Sequence, residues 1–252
     1  MPCKVQDACH EMAYLLQYEW NLYRCTSFMH QKATMANTTL TLSSKNYSSW
    51  SLRGWLMVKL AGLPFEETPV ATDNVDARAE LLLLSPSILV PCLNHGSARV
   101  WDTLAIGEYL NEIAPKANLL PTNAVHRAHC RSICGEMHSG FSALRASLPM
   151  NIKAKFSKFK VWSKAQLDID RVLYIWRDCL STYKGPYLFG KKPTLADCMF
   201  APVVTRFMTY GIALDPVCEA YCQTILKMPE MKEWMAAAIA EPDDIEELEV
   251  EF

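Results

Sequence analysis

Four consecutive residues, Asn46, Tyr47, Ser48 and Ser49, bring an amide, a phenol and two hydroxyls to the start of "WSLRGWLMVKLA", a run that reads as helix. The first turn of a helix has backbone N–H groups without intrahelical partners and a dipole that favours negative charge. Hydroxyls added there make a place to hold an anion such as a thiolate. Plain N-capping draws on the same residue types. A cap needs only one of them, so the rest call for an explanation.

Two other stretches offer complementary chemistry. In "VPCL" a Pro opens a strand, where it is confined to an edge or first position. The Val90–Pro91 bond is a candidate for the cis form, and the Val90 N–H and C=O are then placed to pair with an extended peptide; a routine edge Pro is the plainer reading. In "VWDTLAIGEYL" Asp102 and Thr103 begin a helix just after a strand. The N–H groups and the Thr103 hydroxyl suit a carboxylate, and Asp102 suits an ammonium, so an α-amino acid head group satisfies both. An N-cap with an acidic first turn is again the simpler alternative.

The elements that must position these residues alternate from residue 38 onward. A short run "TLTLSS" precedes a helix over 48–61, an extended "FEETPVAT", a helix "NVDARAELLLLS", strands "VPCLNH" and "ARVW", and a helix "TLAIGEYLNEIA". The order is βαβαββα over 38–115, an α/β unit. A linker with Pro and Asn over 116–122 leads to 123–240, which lacks strand alternation and predicts helices near 124–147, 160–183, 194–210, 215–227 and 230–240. The fold class expected is α/β plus all-α.

Residues 1–37 precede the first strand as an extension of uncertain status, with helical spacing over 8–24, and 241–252 form an acidic surface tail to which no chemistry is assigned. In "KPTLAD", Thr194 and Asp197 have capping-box spacing, a structural signal.

Composition narrows the function classes. Twenty-five Lys and Arg against 27 Asp and Glu, with no basic aromatic stripe, leave no footprint for nucleic acid. The longest apolar run, "ELLLLSPSILVPCL", is broken by Ser and Pro before it reaches the ~20 residues of a spanning helix. The first 34 residues lack both a compact apolar core and an Arg-rich, acid-poor character, so a cytoplasmic address is the default. The ten cysteines are scattered through a chain large enough to need no disulfide staples and read as reduced thiols. His126, Cys130, Cys134 and His138 recur every fourth residue along one side of a predicted helix. At 1.5 Å rise per residue the outer pair is roughly 18 Å apart, too far for one tetrahedral site. No metal is expected.

Taken in order, these elements resemble the glutathione transferase family, with its thioredoxin-like first domain and helical second domain. The resemblance covers about residues 38–240 and rests on "NYSSWSLRGWL", "VPCL", "WDTLAIGEYL", "LLPTNAVHRAHCRS", "EMHSGF" and "LFGKKPTLADCMFAPVVTRF". The subgroup it points to is the bacterial type with an "NYSSWSLR" signature, similar in layout to the zeta class. In that family a hydroxyl or thiol at the first helix faces the glutathione sulfur. Here the candidates are Ser48, which we favour, Asn46, on which the first Ser of the zeta motif falls, and Ser49.

The resemblance further implies glutathione contacts from Tyr47, Val90, Pro91, Asp102 and Thr103, and an acceptor pocket near Trp50, His138 and Phe141. The apolar "SPSIL" before Val90 departs from relatives that have a Gly and a basic residue there. Glutathione as co-substrate, a small electrophilic or apolar acceptor, and a homodimer follow as expectations. A free thiol with pKa ~8.5 is about 3% ionised at pH 7; lowering its pKa by two costs about 2.7 kcal/mol of preferential thiolate stabilisation and makes it roughly three-quarters thiolate. The leading expectation is a glutathione transferase. A zeta-like isomerase that recycles glutathione and a non-catalytic glutathione-binding module are the alternatives.

Overall fold

The computed structural model describes residues 38–70, 90–156 and 159–241. The predicted helix over 74–85 and the N-terminal extension lie outside the described residues, as does the tail beyond Glu241.

The first unit is built on a four-stranded sheet in the order β2-β1-β3-β4. Strand β1 (Thr38–Leu42) lies parallel to β2 (Glu66–Pro69) and antiparallel to β3 (Cys92–His95), which pairs antiparallel with β4 (Ala98–Trp101). The β1–β2 pair is parallel because helix α1 (Ser49–Ala61) makes the crossover between them. Ser48 caps the N-terminus of α1, and Gly62 at φ 69° ends it in the left-handed conformation that suits glycine. Helix α1 buries nearly all of its first ten residues, from Ser49 to Val58, with Trp50 partly exposed. Gly54 sits on this helix because a Cβ there would lie 2.4 Å from Pro91 Cγ. The Val90–Pro91 peptide bond is cis. Helix α2 (Thr103–Ile113) closes the unit.

A short 3-10 turn (Pro115–Ala117) leads into α3 (Ala124–Ser139), α4 (Ser142–Ser147), α5 (Ser163–Tyr183), α6 (Leu195–Thr209), α7 (Pro216–Lys227) and α8 (Pro229–Ala240). The single helix expected over 124–147 is two helices. The chain breaks at Gly140 and Phe141, and Phe141 takes φ 57° and ψ 36°. Apolar spacing alone carries no trace of such a break, because it continues on both sides.

Helix α6 is the axis of the second unit, with every residue except Met208 buried. Trp176 of α5 packs edge-on against Phe200 of α6 and Tyr221 of α7, at 6.1 and 4.9 Å between ring centres. The Thr194–Asp197 capping box is present at its start. The two units share one core: the Arg53 Nε donates to the Met199 carbonyl at 2.8 Å, and Leu195 packs so closely on Gly107 that a Cβ there would meet it at 2.4 Å. The α1–α6 and α2–α6 contacts therefore set how the sheet unit faces the helices.

Candidate functional site

At the mouth of α1 the hydroxyls form a chain. Ser48 Oγ accepts from the Ser51 N–H at 3.2 Å and donates to Ser51 Oγ at 2.9 Å, and Ser51 Oγ accepts from the Ser43 N–H at 3.1 Å. Ser48 is thus the helix cap and is half-buried, whereas Ser49 is only 8% exposed. Rotating the Ser48 O–H away from Ser51 frees a donor without breaking the cap.

Asn46 has no exposed surface, and its Oδ1 accepts from the N–H groups of Ile152 and Lys153 at 2.7 and 3.0 Å. Its amide nitrogen has no partner among the described residues. Asn46 thereby fastens the helix mouth to the second unit. Tyr47 is buried beside it, and its N–H reaches Ser44 Oγ at 3.3 Å.

The second end of the site is built on Asp102, which takes φ 74° and ψ 133°. A non-glycine residue in this region costs of order 1–3 kcal/mol, and such strain concentrates at ligand sites. Asp102 Oδ1 caps α2 by accepting from Leu104 N–H at 2.8 Å and Ala105 N–H at 3.4 Å, while Oδ2 lies 2.5 Å from His138 Nε2. Beside it Thr103 is 1% exposed and its hydroxyl oxygen has no partner among the described residues. A cavity of about 220 Å³ is lined by Trp50, Val90, Pro91, Asp102, Thr103 and His138. The structure gathers six of the residues picked from sequence into this cavity. Asn46, Tyr47, Ser48, Ser49 and Phe141 do not line it; Phe141 is 7% exposed and leads into α4.

The electrostatics around Trp50 come from residues the sequence reading left out. The Arg53 guanidinium carbon lies 4.4 Å from the Trp50 ring centre and that of Arg145 5.5 Å, while the His138 ring is 5.3 Å away. Arg53 is fully buried and its NH2 group has no hydrogen bond among the described residues. Burial first, then repulsion from Arg206 and Arg145, holds its pKa well below that of a free guanidinium. Burial likewise pushes Arg206 down to about 10. Among the described residues no carboxylate is paired with any of these three arginines. A buried Arg on an apolar helix face was the available signal for Arg53; nothing in local sequence marked Arg145.

The four evenly spaced His and Cys residues on α3 take separate roles: His138 meets Asp102, His126 stacks edge-on with Tyr183 at 4.8 Å, and Cys130 and Cys134 are buried thiols. Among the described residues, His129, Asp178 and Cys179 bring potential ligand atoms within 4.8 Å of one another. Burial pushes the Cys179 thiol up to about 12, which opposes its ligation as thiolate. No helix among the described residues is long and apolar enough to cross a membrane.

This arrangement, a sheet unit with a hydroxyl-capped helix mouth and an Asp–Thr pair facing a helical unit, has clear relatives. The chain matches the N-terminal domain of glutathione S-transferase over residues 47–113 and its C-terminal domain over 134–237. It is 30% identical to glutathione S-transferase 1 of Dianthus caryophyllus, over 70% of this chain and 80% of that one. It is 26% identical to a protein described as probable maleylacetoacetate isomerase from Caenorhabditis elegans, over 72% of this chain and 85% of that one. The holo structure of a maleyl pyruvate isomerase, a bacterial zeta-class glutathione S-transferase, superposes with a TM-score of 0.63 at 23% identity, covering 82% of this chain and all of the other. The chain belongs to the glutathione S-transferase family.

Proposed function

We propose that the protein binds glutathione between the α1 mouth and the Asp102–Thr103 pair and ionises its thiol at Ser48. The observation that carries this reading is the Thr103 hydroxyl, buried and unpartnered in the wall of a cavity beside strained Asp102. An orphaned buried hydroxyl costs about 1–3 kcal/mol and is retained where a ligand satisfies it. In this reading Thr103 and the α2 N–H groups take the γ-glutamyl carboxylate, Asp102 takes its ammonium, and Val90 pairs with the cysteinyl backbone. The thiol then points to the first turn of α1, where Ser48 turns its proton outward and the helix dipole adds to thiolate stabilisation.

Between transfer and isomerisation, one observation favours the second. Arg53 and Arg145 lie against Trp50, which lines the cavity, with no carboxylate partner among the described residues. An uncompensated cation pair suits an anionic acceptor better than an apolar one. An unsaturated diacid, the substrate class the isomerase relatives' names imply, is such an anion. The glutathione sulfur adds to the double bond, the electron pair moves to the conjugated carbonyl, the former double bond rotates, and expulsion of the thiolate restores the alkene. Glutathione is regenerated and no proton need be consumed.

The test has two parts. Thiolate absorbance of bound glutathione is titrated in wild type and in Asn46→Ala, Ser48→Ala and Ser49→Ala; a raised thiol pKa only in Ser48→Ala supports the assignment, and no change in any of the three overturns it. Turnover of a cis-enediacid without loss of glutathione supports the isomerase, conjugation of a neutral electrophile with consumption of glutathione supports the transferase, and glutathione retention without either reaction supports a binding module.

A further inference from the structure

Glu241 follows the last residue of α8 and stands at the start of the stretch to which sequence assigned no chemistry. Its carboxylate is an acceptor for the loop between β1 and α1. Oε2 accepts from the Ser44 hydroxyl at 2.8 Å and the Asn46 N–H at 3.1 Å, and Oε1 accepts from the Lys45 N–H at 2.6 Å. The Trp234 indole of α8 also donates to the Lys45 carbonyl at 2.9 Å, and Lys153 Nζ, from the segment between α4 and α5, donates to the Glu241 carbonyl at 2.8 Å. The loop transmits this anchorage to the site, because the Ser48 N–H donates to the Ser44 carbonyl at 3.0 Å. Four hydrogen bonds thus run from α8 and its end to the turn, and the Ser48–Ser44 bond joins that turn to the cap of α1.

We propose that Glu241 is a positioning residue for the thiol site: the carboxylate at the end of the second unit holds the 44–48 turn so that the Ser48 hydroxyl and the α1 N–H groups meet the sulfur. The inference rests on the functional reading above for the identity of the ligand, and on the hydrogen bonds alone for the ordering of the loop. When Glu241 is truncated the Lys45 N–H loses its acceptor, and the Asn46 N–H is left with Ser44 Oγ alone, at 3.1 Å, on a hydroxyl that has itself lost its carboxylate partner. The turn then samples conformations in which the helix mouth and the cavity are no longer in register.

Glu241→Ala and Glu241→Gln are compared with wild type by amide hydrogen exchange at Lys45 and Asn46 without ligand, and by the pKa and affinity of bound glutathione. Glu241→Ala is expected to speed exchange at Lys45 by about tenfold or more, and at Asn46, which keeps the Ser44 hydroxyl oxygen, by less. It should weaken glutathione binding and raise the bound-thiol pKa, with Glu241→Gln, which keeps one acceptor oxygen, in between. Glu233→Ala serves as control: it removes another α8 carboxylate, one bonded to Lys59 near the far end of α1, and should leave exchange and thiol pKa unchanged. Unchanged exchange in Glu241→Ala overturns the proposal. So does an unchanged or lowered thiol pKa, since lowering is what a purely electrostatic carboxylate would produce. If Glu241→Ala does not fold, Glu241→Gln carries the same readouts. Wild-type protein that binds no glutathione overturns the functional reading instead, and the exchange rates then decide whether Glu241 orders the loop.

Discussion

His138 Nε2 and Asp102 Oδ2, 2.5 Å apart, join the C-terminal end of α3 to the start of α2. His138, expected from sequence near the acceptor, lines the cavity and meets the carboxylate that the functional reading assigns to the amino-acid end of glutathione. The imidazole thereby orients Asp102 toward the cavity while Oδ1 remains on the helix cap.

Replacing His138 by Ala is expected to raise the KM for glutathione by about tenfold, the loss of one charge-assisted hydrogen bond, with kcat within about twofold. Steady-state kinetics with glutathione varied at saturating acceptor check this. A change confined to the acceptor KM would instead place His138 in the acceptor pocket.

Thr103→Val should move stability and binding in opposite directions. The isosteric change removes a buried hydroxyl that has no partner among the described residues, so the ligand-free protein should gain about 1 kcal/mol. Glutathione should bind about fivefold to tenfold more weakly, for want of the donor to its carboxylate. Denaturant unfolding and calorimetric titration read the two effects separately; a loss of stability on this change would mean the hydroxyl is already satisfied.

Asn46 and Ser48 should separate as structure and chemistry. Asn46→Ala removes from the half-buried Ile152 and Lys153 N–H groups the acceptor that Asn46 supplies and is expected to cost about 2–4 kcal/mol. Ser48→Ala removes an N-cap and should cost about 1 kcal/mol. Unfolding free energies of the two variants, compared at one pH, test this order.

Asp197 gives stability a pH dependence far from the cavity. Burial pushes its carboxyl up to about 6, although Leu188 N–H, Thr194 N–H, the Thr194 hydroxyl and the Tyr221 hydroxyl all donate to it. The folded value exceeds the unfolded one of about 4, so this group's contribution is complete below about pH 4 and is lost as pH rises through about 6, some 3 kcal/mol in all. Relative to Asp197→Asn, wild type should therefore lose about that much stability between pH 4 and pH 7. A difference that stays constant across this range would show that the four donors outweigh burial.

Much of the candidate site was legible because its pattern is local. Ser48 before a helical run, Asp102–Thr103 between strand and helix, and the Thr194–Asp197 capping box are patterns written within a few residues, since caps and turns are made by neighbours along the chain. The four strands and most helices were readable from apolar spacing for the same reason.

What tertiary structure alone decided is which of these polar groups remain free. Asn46 and Ser48 look alike in sequence, yet the Asn46 side chain is fully buried with its Oδ1 on Ile152 and Lys153, more than a hundred residues away, while Ser48 keeps a half-buried, rotatable hydroxyl at the helix mouth. Arg145 and Glu241 enter the picture only when the second unit packs against the first. A hydrogen bond or a desolvated charge depends on what burial brings alongside it, and the chain's local pattern carries no record of partners that distant.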